Sequence, residues 1–323
     1  MEFKTTVDWL RFRTKTGPFD VVEALRPLYG TASELVTFDT GHKPKDGWLY
    51  AGVLKLAGDI TLGRIDYGGE SQREWVRVNL TGEGCQWVQD WAAAERLGEV
   101  LDAEITRLDL ALTTYKGEVN HHMVIAAHQA GKFSSGGRQP HYKIVGGGSD
   151  PRAGTTVYVG KREGSDKMLR CYEKGFEILQ KVPETMRRTV TGFADPTSPD
   201  ASMARVEDIY RVEVEFKNET KFIPWFCVNG RRDEAFAGAY PFCAELLGRV
   251  SGYRMNTLPD FAPRATLESS LDHCRRAYGP ILRAALMAHG GDEQAMLRVM
   301  ARVMAEQPSQ ALIEAGVLTV EHR

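Results

Sequence analysis

Residues 105–113 read ITRLDLALT, and their alternation decides the fold. Strand side chains alternate between faces, so Thr106, Leu108, Leu110 and Leu112 fall on one face and Ile105, Arg107, Asp109 and Ala111 on the other. The first face is core; the second carries an arginine and an aspartate at mid-strand. Residues 210–217, YRVEVEFK, repeat the pattern. Tyr210, Val212, Val214 and Phe216 oppose Arg211, Glu213, Glu215 and Lys217. An antiparallel sheet with one dry and one wet face accommodates such charges. If the two strands are neighbours, Asp109 and Glu213 lie close together. A carboxylate pair of that kind suits Mg²⁺ or Mn²⁺, which take oxygen ligands. A solvated Arg–Glu ladder is the competing reading.

Between these strands lies TVYVGKREGSDKMLRCYEKGFEI, residues 156–178, which reads as a hairpin. It sets Tyr172 among Lys161, Arg162, Lys167, Arg170 and Lys174. A tyrosine hydroxyl, with a pKa of about 10, attacks a phosphodiester only if its proton is removed and the phosphate charge neutralised. Cations around a tyrosine meet the second need. On a regular strand Arg170 and Lys174 share the face of Tyr172, and Cys171 points to the core with Leu169. Tyr158, on the facing strand, is the next candidate nucleophile. The plainer reading is a half-buried strand tyrosine among surface cations.

Further out, residues 5–13 (TTVDWLRFR) alternate as an opening strand, and Asp20 starts a helix closed by Gly30. ELVTFD, WLYAGVLKLAG, ITLGRIDYGG and WVRVNLTG predict further strands before a helix from Gly84 to about residue 101. HHMVIAAHQAG predicts a short helix stopped by Gly131. Residues 133–154 predict a mobile glycine-rich loop, without the GK[ST] of a phosphate-binding loop, and residues 190–205 a second polar loop. Strand–helix–strands followed by the same series looks like a doubled unit, with the opening strand and the Asp109 strand in equivalent places. The expected class is α+β: an antiparallel sheet with helices on one face, in a duplicated RRM-like arrangement. After about residue 222 helical spacing takes over, giving expected domains 1–222 and 223–323. The Met and Leu of LRVMARVM read as packing within that helical part.

The 323 residues allow a sizeable core, and 42% hydrophobic with 26% charged content is that of a soluble globular chain. No apolar run approaches the roughly 20 residues of a membrane span, and the N-terminus has no export signal. A cytoplasmic protein is expected. The five scattered cysteines suggest neither disulfides nor zinc. No His-x-His triplet occurs, so any metal site must rest on carboxylates. Net charge is −2, yet residues 131–190 hold twelve Lys or Arg and six Asp or Glu, a local balance of +6 that could face phosphate.

TTVDWLRFR, TRLDLAL, YVGKR with SDKMLRCYEKG, and YRVEVEFKN, in this order, resemble the replication initiation factor family. These are rolling-circle initiators of small plasmids and filamentous bacteriophages, with relaxase relatives. The chain most resembles the filamentous-phage branch, over about residues 5–220. The resemblance implies a catalytic domain remotely related to the RRM-like fold, a degenerate version of the HUH nickase unit. It also implies an endonuclease that nicks one DNA strand at an origin and stays joined to the 5′ phosphate. Carried over, Tyr172 is the nucleophile, assisted by Arg170 and Lys174. Asp109 and Glu213 are ligands of Mg²⁺ or Mn²⁺. Family members often have a further acid shortly after the first; Thr113 and Thr114 stand there, so Glu215 or Glu173 would complete the set. Lys161, Arg162, Lys167, Arg107 and Arg211 would hold DNA. The expected partner is origin DNA, single-stranded or as a hairpin, inside a bacterial host; a host helicase and a second copy of the chain are further candidates. A non-catalytic DNA-binding regulator on the same fold and a metal nuclease acting through water are the alternatives.

Overall fold

The computed structural model describes residues 3–57, 59–69, 72, 74–134, 137–146, 150–200, 202–257 and 267–303. It divides into two compact units, Met1–Thr257 and Leu258–Arg323. In chain order the first unit contains β1 (Thr6–Thr14), α1 (Pro18–Leu25), β2 (Thr37–Thr40), β3 (Tyr50–Leu56), β4 (Ile60–Tyr67), β5 (Val76–Leu80), α2 (Gly82–Gln86) and α3 (Trp91–Val100). There follow β6 (Glu104–Thr114), α4 (His121–Gln129), β7 (Tyr142–Gly146), β8 (Thr155–Val159), β9 (Lys167–Tyr172) and α5 (Lys174–Lys181). The unit ends with β10 (Gly192–Ala194), β11 (Met203–Arg205), β12 (Tyr210–Lys217), α6 (Arg232–Ala239) and α7 (Pro241–Leu246). In the second unit α8 (Leu267–Ala288) and α9 (Glu293–Val303) are described. Leu297 and Met300 of α9 are exposed there. The helical spacing of PSQALIEAGVL lies outside the described residues.

Ten strands form one antiparallel sheet in the order β2-β3-β4-β5-β1-β6-β12-β9-β8-β7. β10 and β11 pair separately. The order is a doubled one. Outward from the centre, β1 is followed by β5, β4, β3 and β2, and β6 by β12, β9, β8 and β7. The two series meet at the β1–β6 pair, where Leu10 faces Leu108 and Trp9 faces Asp109. The opening strand and the Asp109 strand hold equivalent places.

One sheet face and its helices form the core. Leu10, Phe12, Leu108, Leu110, Val212, Val214 and Leu169 pack with Val22 and Leu25 of α1, Leu97 of α3, Val124 of α4 and Phe236 of α6. Helical spacing after residue 222 does not mark a separate body at that point. Cys227 and Val228 of a 3₁₀ turn, with Phe242 and Cys243 of α7, are in the same core, and the Trp225 indole N–H donates to the Ala103 carbonyl at 2.7 Å. The division between compact units falls after residue 257.

Two bulges alter the strict alternation. Between Val7 and Trp9 the register with β6 skips Asp8, and between Arg11 and Phe12 it skips Thr106 on β6. Ile105 therefore joins the core instead of sharing a face with Arg107. The helix expected from Gly84 is two helices, with the Asp90 side chain accepting the Ala93 N–H at the start of the second. The glycine-rich stretch after residue 133 contains β7, an edge strand with every residue exposed, and the loop after residue 190 contains β10 and β11. The chain also turns into α5 immediately after Tyr172. Gly175 allows this close packing, because a Cβ there would lie 1.9 Å from the Val206 carbonyl oxygen.

Candidate functional site

β12 lies between β6 and β9, and its odd-numbered side chains face away from the core. Glu213 is opposite Ala111 on one side and Arg170 on the other. Glu215 is opposite Asp109 and Met168, and Arg211 is opposite Thr113 and Tyr172. The register thus sets Glu215 directly across from Asp109, with Glu213 as the diagonal neighbour.

This face is not wet at its centre. Asp109, Glu213 and Glu215 are 1%, 2% and 5% exposed. Burying a carboxylate requires a paired, hydrogen-bonded cation, and each has one. Asp109 accepts from Arg107 Nε at 2.8 Å and Nη2 at 2.5 Å. Arg107 also lies 3.1 Å from Glu215 and over the Trp9 ring. Both Glu213 oxygens accept from Arg170 Nη2, at 2.7 and 2.8 Å. These charges form a buried ion-pair network, not the solvated ladder of the competing reading. Burial raises the Asp109 carboxyl to about 7, with Glu213 and Glu215 adding to the rise and Arg107 opposing it.

Tyr172 ends β9 on the same face and is 7% exposed. Its hydroxyl donates to Glu213 Oε2 at 3.4 Å. Arg170 lies 4.9 Å and Lys174 Nζ 5.6 Å from its ring centroid. Lys174 reaches it from the first turn of α5, not from a continued strand, and donates to both oxygens of Glu177 at 2.9 Å. Burial pushes Glu177 up, but Lys174 and a hydrogen bond from Tyr172 outweigh it and hold the carboxyl below its ordinary range. Burial raises the Tyr172 hydroxyl well above an ordinary tyrosine; Arg211 opposes this and Glu213 reinforces it.

The other expected residues separate. Lys161 and Arg162 are exposed in the β8–β9 turn, with Arg162 reaching to 3.7 Å from Glu215. Arg107 is engaged with the buried Asp109 and Glu215, and Arg211 with the half-buried Asp8. Arg211 donates to Asp8 Oδ1 at 2.5 Å and to Thr113 Oγ1 at 2.9 Å. Lys167 points to the core side, donating to the Ala239 carbonyl at 2.5 Å and lying 4.4 Å from the Tyr240 ring centroid. Alternation with Leu169 and Cys171 requires this. Glu173 is turned away from the acids, its Oε2 accepting the Thr155 N–H at 2.6 Å. Tyr158 is opposite Arg170 on β8, one strand further out.

Two residues escape a strict reading of alternation. Asp8 reaches this face because it is the bulged residue; the Val7–Leu10 spacing is the signal. Glu177 arrives with α5, which begins at Lys174 where alternation alone continues the strand. A hard cation would find only oxygen donors here, in Asp109, Glu215, Glu213 and Asp8, which suits Mg²⁺ or Mn²⁺ by chemistry. The set is not preassembled: among the described residues no three acids, histidines or cysteines converge on one point. The guanidiniums of Arg107 and Arg170 lie against the acids and would have to yield.

Residues 103–260 match the profile of the replication initiation factor family. The matched segment begins at β6 and so takes in the second half of the sheet, with Tyr172 and all the acids discussed here except Asp8; the opening strand lies outside it. The match supports a role in replication initiation. No curated protein matches the chain significantly. A solved structure of a rolling circle replication initiator protein from Geobacillus stearothermophilus aligns at 18% identity with a TM-score of 0.49, over 81% of this chain and 91% of that one.

Proposed function

We propose that this chain, whose segment 103–260 resembles replication initiation factors, initiates rolling-circle replication by nicking one strand of an origin through Tyr172. The observation that carries the reading is the Tyr172 hydroxyl, set against Glu213 at 3.4 Å with Arg170 and Lys174 over its ring. In the proposed step, Tyr172 Oη bonds to phosphorus while the bond from phosphorus to the 3′ oxygen breaks. The tyrosine proton passes to Glu213 or Glu177, the two carboxylates at the hydroxyl. The leaving oxygen takes a proton from solvent water and becomes a 3′ hydroxyl, a primer for a polymerase. Because burial keeps the phenol protonated, proton loss accompanies attack instead of preceding it. Arg170 and Lys174 neutralise the non-bridging oxygens. A divalent cation on Asp109, Glu213 and Glu215 would supply Lewis-acid polarisation of the phosphate. The 5′ phosphotyrosine conserves the bond, so the strand can be rejoined.

The low exposure of Tyr172 favours one other reading, in which water attacks and the tyrosine is structural. Incubation with labelled single-stranded origin DNA and Mg²⁺ or Mn²⁺ separates the two. The tyrosine reading expects a denaturant-stable protein–DNA adduct that Tyr172→Phe abolishes, with DNA binding nearly unchanged. Nicked product without adduct sinks it in favour of water. An adduct kept in Tyr172→Phe and lost in Tyr158→Phe moves the nucleophile to β8.

A further inference from the structure

A cavity of about 490 Å³ lies at the other end of β9, on the opposite side of the sheet from Tyr172. Four cations line it: Arg138, Lys167, Lys221 and Arg254. The one acid in its wall, Asp166, is already engaged, accepting the Thr220 N–H and hydroxyl at 2.6 Å each. Arg138 and Arg254 are exposed and have no carboxylate partner among the described residues. Burial lowers Lys167 to about 8, and Arg254 and Lys221 add to the fall. Lys167 and Lys221 also donate to protein oxygens, the Ala239 carbonyl and Thr257 Oγ1, so the two exposed arginines are the groups that would meet an anion from outside. The walls are aromatic, with Tyr240 beneath Lys167 and Tyr253 beside Arg254. Gly238 brings the last two together: a Cβ there would lie 1.8 Å from the Tyr253 carbonyl oxygen.

Two exposed arginines beside the half-buried Tyr253, whose ring Arg231 and Phe226 already brace, match a nucleotide unit, whose phosphate is neutralised while its base packs against the cavity wall. We propose that this cavity binds one unpaired nucleotide of the DNA strand, away from the scissile phosphate. The proposal rests on the reading that the chain acts on single-stranded DNA. β9 sets the scale: Lys167 and Tyr172 are its ends, about 17 Å apart at the strand rise. Arg170 lies on the way, and the turn bearing Lys161 and Arg162 adjoins the cavity. A strand held at Tyr172 can follow these cations round the turn. The cavity then joins the cationic hairpin to residues after 222, where a base can be read as well as a phosphate held.

The probes are single-stranded dT25, an abasic 25-mer with the same backbone, and free dTMP, followed by fluorescence anisotropy in a salt titration. Wild type is expected to prefer dT25 over the abasic strand by about fivefold or more. Arg138→Ala/Arg254→Ala, both at exposed positions, is expected to weaken dT25 binding and flatten its salt slope by about 0.7 to 1.4. Tyr253→Ala, checked for folding by its melting curve, is expected to shrink the preference for bases and leave the slope alone. Wild-type affinity and slope in the arginine pair overturn the proposal. So does dTMP binding that the pair abolishes while dT25 binding is untouched, which would make the ligand a free nucleotide. A Tyr172 adduct that persists while the pair behaves as wild type sinks the cavity reading alone; a wild-type chain that binds no dT25 sinks both readings.

Discussion

The two halves of the sheet have the same topology, and several matched positions exchange cation for acid. Superposing the bulges at Asp8 and Thr106 makes Arg11 on β1 the counterpart of Asp109 on β6. The registers then carry the match outward. Asn79, opposite Arg11, corresponds to Glu215, and Arg77 to Glu213; Asp66, opposite Arg77, corresponds to Arg170. Where the second half sets Arg170 against Glu213, the first sets Asp66 against Arg77, at 2.9 Å. Two residues beyond Asp66 stands Gly68; two beyond Arg170 stands Tyr172. The first half uses one fully buried acid, Asp66, to hold Arg64 and Arg77. The second gathers Asp109, Glu213 and Glu215, with the Tyr172 hydroxyl on Glu213. One scaffold thus supports a cationic wall on one side and an acid layer with a buried tyrosine on the other.

The largest effect that tests this contrast is on chemistry. Glu213→Gln and Asp109→Asn are expected to lower strand cleavage by about 10²-fold or more each, and strongly non-additively, since either already disables one site. EDTA should imitate them. Two small additive losses, or full activity in EDTA, would make the acid layer as structural as the first half's network. Removing the first half's acid should instead cost stability. Asp66→Ala leaves two guanidiniums without their shared partner, a loss of about 3 kcal/mol, read as a lower urea midpoint, while the surviving folded protein cleaves normally. A cleavage defect in folded Asp66→Ala would erase the distinction.

The smallest effect reads the burial of Asp109, to which Glu213 and Glu215 add. With Asp109 raised to about 7 by burial, the folded chain keeps a proton that the unfolded chain has lost between about pH 4 and 7. Stability from this group is therefore present at low pH and falls as pH rises through that window. Urea unfolding of the protein in EDTA should show this decline, and Asp109→Asn should flatten it. An unchanged pH slope in that variant means Arg107 keeps the carboxylate ionised throughout.

Alternation made the sheet and its core face legible, because a two-residue period leaves few ways to bury Leu108, Leu110, Val212 and Val214, and the repeated order of strands and helices did the same for the duplication. Alternation also brought Asp109, Glu213, Glu215, Arg170 and Tyr172 to one face. What alternation cannot carry is a residue that breaks it. The bulges put Asp8 among the acids and Ile105 in the core, and each was signalled only by apolar residues three apart. Lys167 has the parity of Leu169 and Cys171 and so lies on the core side of β9, away from Tyr172. The register between β6 and β12, hence Glu215 opposite Asp109, depends on how two distant strands slide, which neither records locally. The dryness of the acid layer was hidden for a related reason. Long arginine side chains roof it, and a charged residue looks solvated until its partner is known.

The central β1–β6 pair has a consequence for how the chain reaches this structure. Leu10 and Leu108 meet there although they are roughly a hundred residues apart in sequence, so closing the seam carries a loop-entropy cost that local contacts cannot share. Until it closes, each half presents a long strand with unpaired amides and an apolar face, a template for pairing with another chain. A fragment beginning at residue 103 would keep Tyr172, Asp109 and Glu213 yet leave β6 in that state permanently. In a translating chain, the first half is synthesised well before its seam partner, and β1 must wait at the edge of its own sheet for β6 to emerge.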